Sequence, residues 1–315
     1  MSDYQWHDVR ALGPRGVGFD DRAHPYDRLP ARAETELPEH VWRLSRQSTG
    51  MYVDFVTDAT ELHAHTVLRV PPNEACLWAK YLDLYVRDAQ QRWRWAGVST
   101  NGFIPSGQTP LITGLPEARR TFRLYLPLTF SVERLSLALP QGATLEPDPA
   151  PRHGPVVIYG TSVVHGSSAA RPGMVFPSIL GRWLDREVIN LGFSGSGKMH
   201  PPLAGMLGQI AASLLVIDPL PNMSADLVRE RAEPFLRELL DARPNTPILM
   251  VEDRVHAHHW MLPGPQKQRE EKRAAWREIY ERLKGENPRR LAYLGGDGLL
   301  GADGDDTIDG SHPTD

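Results

Sequence analysis

The chain has 315 residues, enough for two domains at about 150 residues each. Hydrophobic residues make up 41% and charged residues 23%, which supplies a buried core and excludes global disorder. With 35 Lys and Arg against 39 Asp and Glu, the net charge of −4 excludes a generally basic nucleic-acid binder.

A single cysteine, Cys76, leaves no intramolecular disulfide framework and no multi-cysteine zinc site. No run approaches about 18 apolar residues, so no membrane-spanning helix is expected. The start, MSDYQWHDVR, lacks the apolar stretch of a secretory signal. These features predict a cytoplasmic protein with neither nucleic acid nor membrane as a partner. They say nothing of its oligomeric state.

About the first 40 residues are rich in Pro, Gly and Arg without a clear period, and read as an arm or loop. Alternation then sets in. Met51, Val53 and Phe55 share one face, and Leu62, Ala64, Thr66, Leu68 and Val70 alternate with His63, His65 and Arg69. Leu82, Leu84 and Val86, then Phe122, Leu124 and Leu126, then Leu135, Leu137 and Leu139 repeat the pattern. Successive side chains of a strand point to opposite faces, so each segment has one face to bury. Such strands between Pro, Gly and Asn clusters predict an antiparallel β-sandwich over residues 1–150.

The Pro-rich stretch Leu145–Gly154 resists helix and central strand alike, and marks the join. Beyond it, Val156–Tyr159, Glu187–Asn190, Leu214–Ile217, Ile248–Val251 and Leu291–Leu294 are short apolar runs without alternation. Strands buried on both faces of a parallel sheet look like this. Helical stripes lie between them: Phe176, Ile179, Leu180, Trp183 and Leu184; Val228, Ala232, Phe235, Leu236 and Leu239, with Pro234 as an expected kink; and Trp276, Ile279, Tyr280 and Leu283. Residues 151–315 therefore predict a five-stranded, doubly wound α/β/α domain.

Ligands of such a sheet gather beyond the carboxyl ends of its strands. Four polar, Gly-rich segments lie there: Tyr159–Gly166, Asn190–Gly197, Asp218–Met223 and Asp309–Pro313. Ser162 follows the first strand between Gly160 and Gly166, where a turn exposes its hydroxyl and nearby backbone N–H groups. A serine hydroxyl needs a base to become nucleophilic, and His312 is the candidate. Asp309 lies three residues before it, close enough to accept the imidazole Nδ1 proton. The N–H groups of Ser162 and Gly195 and the Asn222 amide would make a three-donor oxyanion hole.

Taken singly, each residue has an ordinary explanation. A serine after a strand caps a helix, Asp-Gly-Ser-His-Pro forms a turn, and an asparagine braces a loop. Their joint order at these strand ends favours the chemical reading.

The same residues carry a resemblance. Gly160-Thr-Ser162, Asn190-Leu-Gly-Phe-Ser-Gly195, Pro221-Asn222 and Asp309-Gly-Ser-His312 resemble the blocks of the SGNH, or GDSL-type, esterase and acyltransferase family. The resemblance implies a flavodoxin-like fold, with Ser162 as nucleophile, Asp309 and His312 completing a triad, and Ser162, Gly195 and Asn222 forming the oxyanion hole. Trp78-Ala-Lys-Tyr-Leu-Asp-Leu-Tyr85 with Trp93-Arg-Trp95 resembles the Gly-x-Asp-Leu-Tyr module ahead of some members, a sandwich similar to a carbohydrate-binding module. The two-domain plan resembles acyltransferases of tetracycline-type antibiotic biosynthesis. That implies transfer of an acyl group from a thioester or ester to a hydroxyl of a bulky polyketide. The partners are then a small-molecule acyl donor and a hydroxyl acceptor. No cofactor or metal is expected, and an acyl-CoA would be a substrate. The alternatives are an esterase or deacetylase acting on carbohydrates or other small esters, and a non-catalytic carbohydrate-binding protein.

Thr161 stands where the family block has Asp, and Tyr81 where the module has Gly. Three residues follow His312, where the family continues into a helix, which implies a histidine near a frayed terminus.

Other residues have milder readings. His63 and His65 share a strand face without a third metal ligand. His256, His258 and His259 read as a surface loop that could also line a pocket or bind a metal, with Trp260 as a pocket wall or a packing residue. Gln268–Arg273 reads as the solvated face of a helix. Trp78, Trp93 and Trp95 could stack on a flat ligand or pack inward. Gly192–Gly197 fits neither nucleotide-binding motif, and Gly301–Asp306 lacks the glutamate of a calcium loop.

Overall fold

The computed structural model describes residues 4–69, 82–99, 106–149, 153–301 and 303–315. Cys76, Trp78, Tyr81 and the expected join at residues 150 and 151 lie outside them. The chain forms two compact units, Met1–Arg28 with Ser45–Arg152 and Ala170–Ile189, and Leu29–Leu44 with His153–Ala169 and Asn190–Asp315.

The amino-terminal strands are β1 (Tyr4–Asp8), β2 (Tyr52–Thr57), β3 (Leu62–Arg69), β4 (Asp83–Arg87), β5 (Trp93–Val98), β6 (Ser106–Ile112), β7 (Arg120–Tyr125), β8 (Ser131–Pro140) and β9 (Leu145–Pro147). Two short helices, α1 (Ala33–Glu36) and α2 (Glu39–Ser45), lie between β1 and β2. Among the described residues the strands form two antiparallel sheets, ordered β1-β8-β3-β6 and β5-β4-β7-β2-β9, the expected β-sandwich. Alternation along β3 buries Leu62 and Ala64 and leaves His63 and His65 half-buried on the other face.

The structure differs from the sequence reading at two sheet edges. Residues expected to be an arm include β1, which pairs with β8 from Tyr4 opposite Pro140 to Asp8 opposite Ser136. The Pro-rich stretch begins with β9, which pairs with β2 and places Pro147 opposite Phe55. Edge strands take their backbone partners from one side only, so neither a strong hydrophobic period nor the absence of proline is required.

A buried polar network ties the second sheet together. The Arg123 guanidinium pairs with both Asp54 carboxylate oxygens at 2.7 and 2.8 Å and lies 4.0 Å over the Tyr52 ring. Trp93 packs against the buried Tyr52, Tyr85 and Tyr125 cluster, with the Arg87 and Arg123 guanidiniums 4.3 and 4.5 Å from its ring centre. Trp95 is half-exposed and donates its indole N–H to Asp83 at 3.0 Å. Of the two candidate stacking residues, Trp93 is therefore a packing residue.

The second sheet system is parallel. Its strands are β10 (Val156–Gly160), β11 (Val188–Gly192), β12 (Leu214–Asp218), β13 (Ile248–Val251) and β14 (Leu291–Leu294), in the order β11-β10-β12-β13-β14. This 2-1-3-4-5 order is the flavodoxin-like one. The helices are α3 (Ser162–His165), α4 (Phe176–Leu184), α5 (Pro201–Leu207), α6 (Ala225–Ala242) and α7 (Pro263–Glu286). Within α6, Val228, Ala232, Phe235, Leu236 and Leu239 are all buried, as their spacing predicts. Helix α7 begins thirteen residues before Trp276. Its first half is rich in Lys, Glu, Gln and Arg, strong helix formers that need no apolar stripe. Among the described residues no helix is long and apolar enough to cross a membrane.

Candidate active site

Ser162, Gly195, Asn222, Asp309 and His312 all belong to the second unit. Each follows the carboxyl end of a parallel strand: Ser162 follows β10, Gly195 β11, Asn222 β12, and Asp309 and His312 lie in the segment after β14. The strand order places β10 between β11 and β12, so the segments bearing Gly195 and Asn222 flank Ser162.

Ser162, His312 and Asp309 form one hydrogen-bonded row. Ser162 Oγ lies 2.7 Å from His312 Nε2, and His312 Nδ1 lies 2.7 Å from Asp309 Oδ2. The second carboxylate oxygen of Asp309 accepts the backbone N–H groups of His312 at 2.7 Å and Ser311 at 3.0 Å. Hydrogen bonds from the His312 backbone, then its ring, and from Ser311 hold the Asp309 carboxyl down to about 2. An ionised carboxylate can only accept, so Nδ1 is the protonated ring nitrogen while the imidazole is neutral. The Nε2 lone pair then faces the Ser162 hydroxyl.

The segment carrying His312 is closed on itself and tied to the chain after β13. Thr307 bridges to Pro313, and Ile308 donates to the His312 carbonyl at 3.0 Å. Ala257 donates to the Gly310 carbonyl at 3.2 Å, and Arg254 grips Ser311. These ties hold the segment that carries the imidazole.

The segments that the strand order makes neighbours carry three N–H donors: the Ser162 and Gly195 backbones and the Asn222 side chain. Neither the Ser162 nor the Gly195 backbone N–H has a hydrogen-bond partner among the described residues. Gly195 has φ +67°, a left-handed conformation costly for residues with a Cβ. Asn222 accepts the Gly197 N–H on Oδ1 at 3.2 Å, which fixes the amide orientation and leaves Nδ2 as a donor. Gly197 permits the approach: a Cβ there would lie 2.7 Å from the Gly160 carbonyl carbon and 2.9 Å from the Thr161 side chain. Asn190, buried, donates to the Val164 carbonyl at 2.6 Å and accepts the Gly192 N–H at 2.9 Å, locking that turn onto α3. Thr161 is buried, and its hydroxyl makes no hydrogen bond among the described residues.

Sequence reasoning missed the charged layer beneath these segments. Gln268–Arg273 is not simply a solvated face. Arg269 is buried, Lys272 pairs with Asp253 at 2.6 Å and donates to the Leu220 carbonyl at 2.9 Å, and Arg273 lies against Glu252 and the Asp253 carbonyl. The signal was present: Arg269, Lys272, Arg273 and Trp276 share one helical face. Burial alone would raise the Asp253 carboxyl, but His256, Lys272 and Arg254 hold it well below its ordinary value. Burial pushes Asp218, at the end of β12, up to about 8.

His256 and His259 stack with ring centres 4.3 Å apart, and His258 meets His259 edge-on at 5.1 Å. Burial, aided by His256 and Arg269, lowers His259 to about 4. His63 contacts Glu61 at 3.2 Å and the Tyr4 ring at 4.6 Å. Among the described residues no group of three or more His, Cys, Asp or Glu is placed to hold a metal ion.

A model of the GDSL-like lipase/acylhydrolase family matches residues 153–315, and a model of the GxDLY N-terminal region of SGNH-hydrolase-type esterases matches residues 4–145. No curated protein matches the chain. The fold is similar to a crystal structure described as a GDSL-like lipase from Bacteroides ovatus. The TM-score is 0.91 at 27% identity, over 99% of this chain and 92% of that one. It is also similar to the salicylyl-acyltransferase SsfX3 from a tetracycline biosynthetic pathway, with TM-score 0.77 at 20% identity, over 94% and 86% of the two chains. A family two carbohydrate esterase from Cellvibrio japonicus gives TM-score 0.56 at 14% identity, over 84% of each chain.

Proposed function

The chain belongs to the GDSL-like lipase/acylhydrolase family, and from that premise we propose that it transfers acyl groups through an ester on Ser162, from a thioester or ester donor to a hydroxyl of a bulky small molecule. The observation that carries this reading is the row Asp309–His312–Ser162, with both side-chain contacts at 2.7 Å.

His312 Nε2 takes the Ser162 proton as Oγ forms a bond to the donor carbonyl carbon. The carbonyl electron pair moves to oxygen, and the oxyanion is held by the Ser162 and Gly195 N–H groups and Asn222 Nδ2. The tetrahedral centre then collapses, the bond to the donor thiol or alcohol breaks, and His312 returns the proton to that leaving group. An acceptor hydroxyl repeats the sequence in reverse and releases Ser162. Every proton is carried by His312, so these steps call on no cofactor, and an acyl-CoA would enter as donor substrate. Asp309 stays ionised and favours the imidazolium formed in each step.

The two-part plan shared with a salicylyl-acyltransferase leads us to an alcohol acceptor of polyketide type. A second reading, an esterase in which water is the acceptor, draws on the likeness across almost the whole chain to the structure described as a GDSL-like lipase.

Intact-protein mass after addition of an aryl thioester separates the two. Transfer predicts an adduct on wild type, absent from Ser162→Ala, that persists in water and clears when an alcohol is added. Free acid released at once would assign the hydrolase. Ser162→Ala should lower turnover by roughly four to six orders of magnitude, and turnover retained in that variant would sink the reading.

A further inference from the structure

A cavity of about 380 Å³ lies in the second unit, beyond the ends of β13 and β14, within the size range of small-molecule sites. Val255, Ala257, Trp260 and Leu300 supply apolar surface, and glycines between 296 and 304 supply backbone. Trp260 is 78% exposed, too exposed for a core residue. The charged residues lining the cavity are Asp306 and Asp297, the latter paired with Arg273 at 2.9 Å. Thr307 also lines it, two residues before Asp309.

Its position relative to the proton path gives it a role. Along the sheet the order is β11, β10, β12, β13, β14, so the oxyanion donors after β11 and β12 flank Ser162, while His312 arrives from the β14 side. In acyl transfer the carbonyl oxygen points to the oxyanion donors, and the alcohol oxygen must meet the histidine that gives or takes its proton. The alcohol portion therefore extends toward the His312 segment, where the cavity lies. Strands are spaced about 4.8 Å apart, which puts the cavity roughly 10–14 Å along the edge from β10. That distance requires an extended alcohol.

Resting on the reading of Ser162 given above, we propose that this cavity binds the alcohol moiety of the substrate, an uncharged aromatic or polycyclic alcohol stacked on Trp260. With Asp297 paired to Arg273, Asp306 is the lining carboxylate that has no ion pair among the described residues, and it disfavours an anionic body, so the phosphate-bearing end of an acyl-CoA lies elsewhere. An aromatic ring and aliphatic walls favour a flat apolar face.

The test uses the full chain and Trp260→Ala, with 2-naphthyl acetate, 2-naphthyl butyrate and ethyl acetate as substrates, and 2-naphthol titrated calorimetrically. The expected result is an about tenfold fall in the ratio of kcat/KM for 2-naphthyl over ethyl acetate, the same with acetyl and butyryl donors, and 2-naphthol binding weaker by a similar factor. An unchanged ratio, a loss that follows the acyl chain, or an unchanged Kd for 2-naphthol overturns the assignment. If no ester is turned over and a fluorophosphonate leaves Ser162 unlabelled, the acyl-transfer reading fails. The titration alone then decides the cavity: weaker 2-naphthol binding by Trp260→Ala upholds the site, and equal binding removes it.

Discussion

Arg254 donates to the Ser311 carbonyl oxygen at 2.6 Å and to its hydroxyl at 2.7 Å, gripping the residue before His312 from the chain after β13. Arg254 is itself buried and held by Asp253 at 3.2 Å. It touches no reacting atom, so its effect on chemistry passes through the position of the imidazole. Arg254→Met should lower kcat roughly 10–100-fold with little change in KM, and slow fluorophosphonate labelling of Ser162 in parallel. Arg254→Lys should recover only part of the loss, because an ammonium lacks the two-pronged donor geometry. Labelling at the wild-type rate would show that Ser311 needs no such grip.

Asn222 offers Nδ2 to a developing oxyanion while Oδ1 is occupied by Gly197. Asn222→Ala should reduce kcat by roughly 10²–10³-fold. It removes one hydrogen bond from the ground state, so the thermal midpoint should fall by only about 2–4 °C. Steady-state ester kinetics beside a thermal scan check both numbers. A kcat near wild type would take Asn222 out of the oxyanion hole.

Asp218 has its carboxyl raised from 3.8 to about 8 by burial, against the opposing pull of Arg254. In the unfolded chain this group loses its proton near pH 4, whereas in the folded chain it keeps it to about pH 8. Between those values the folded state binds more protons, so this group's contribution to stability falls as pH rises. Asp218→Asn, neutral at every pH, should raise the thermal midpoint above wild type by roughly 3 °C or more at pH 8 and match it near pH 4. Parallel melting curves at the two pH values decide the point, and an equal shift at both would refute the linkage.

Asp54 and Arg123 form a bidentate pair inside the sandwich, both almost wholly buried. Removing one partner strands a charge in a low-dielectric interior. Asp54→Ala should cost about 3–5 kcal/mol, read from urea denaturation. A loss below about 1 kcal/mol would mean that the Arg123 charge finds compensation in the Tyr52 and Trp93 rings.

Much of the site was legible because a parallel α/β sheet sorts its sequence. Runs such as Val156–Tyr159 must be apolar to be buried on both faces, so the polar segments behind them stand out, and Ser162, Gly195, Asn222, Asp309 and His312 all lie in such segments. Four distant segments are assignable to one edge from sequence, since parallel strands all point their carboxyl ends to the same side. β3 was legible for a similar reason: one face is buried, and its side chains alternate accordingly.

Sequence alone thus determined the two fold classes, the strands with strong hydrophobic periods, and the set of residues gathered beyond the carboxyl ends of the parallel strands. These depend on local pattern, which water and backbone geometry impose on each segment by itself. The tertiary structure decided what depends on a partner distant in the chain. β1 and β9 are strands because β8 and β2 supply hydrogen-bond partners. Lys272 and Arg273 turn inward because Glu252 and Asp253 lie beneath α7, and Trp260 lines a cavity because the chain after β14 forms the opposite wall. A charge in a sequence looks the same whether it meets solvent or a buried carboxylate. Only the fold, by removing water around it, settles which.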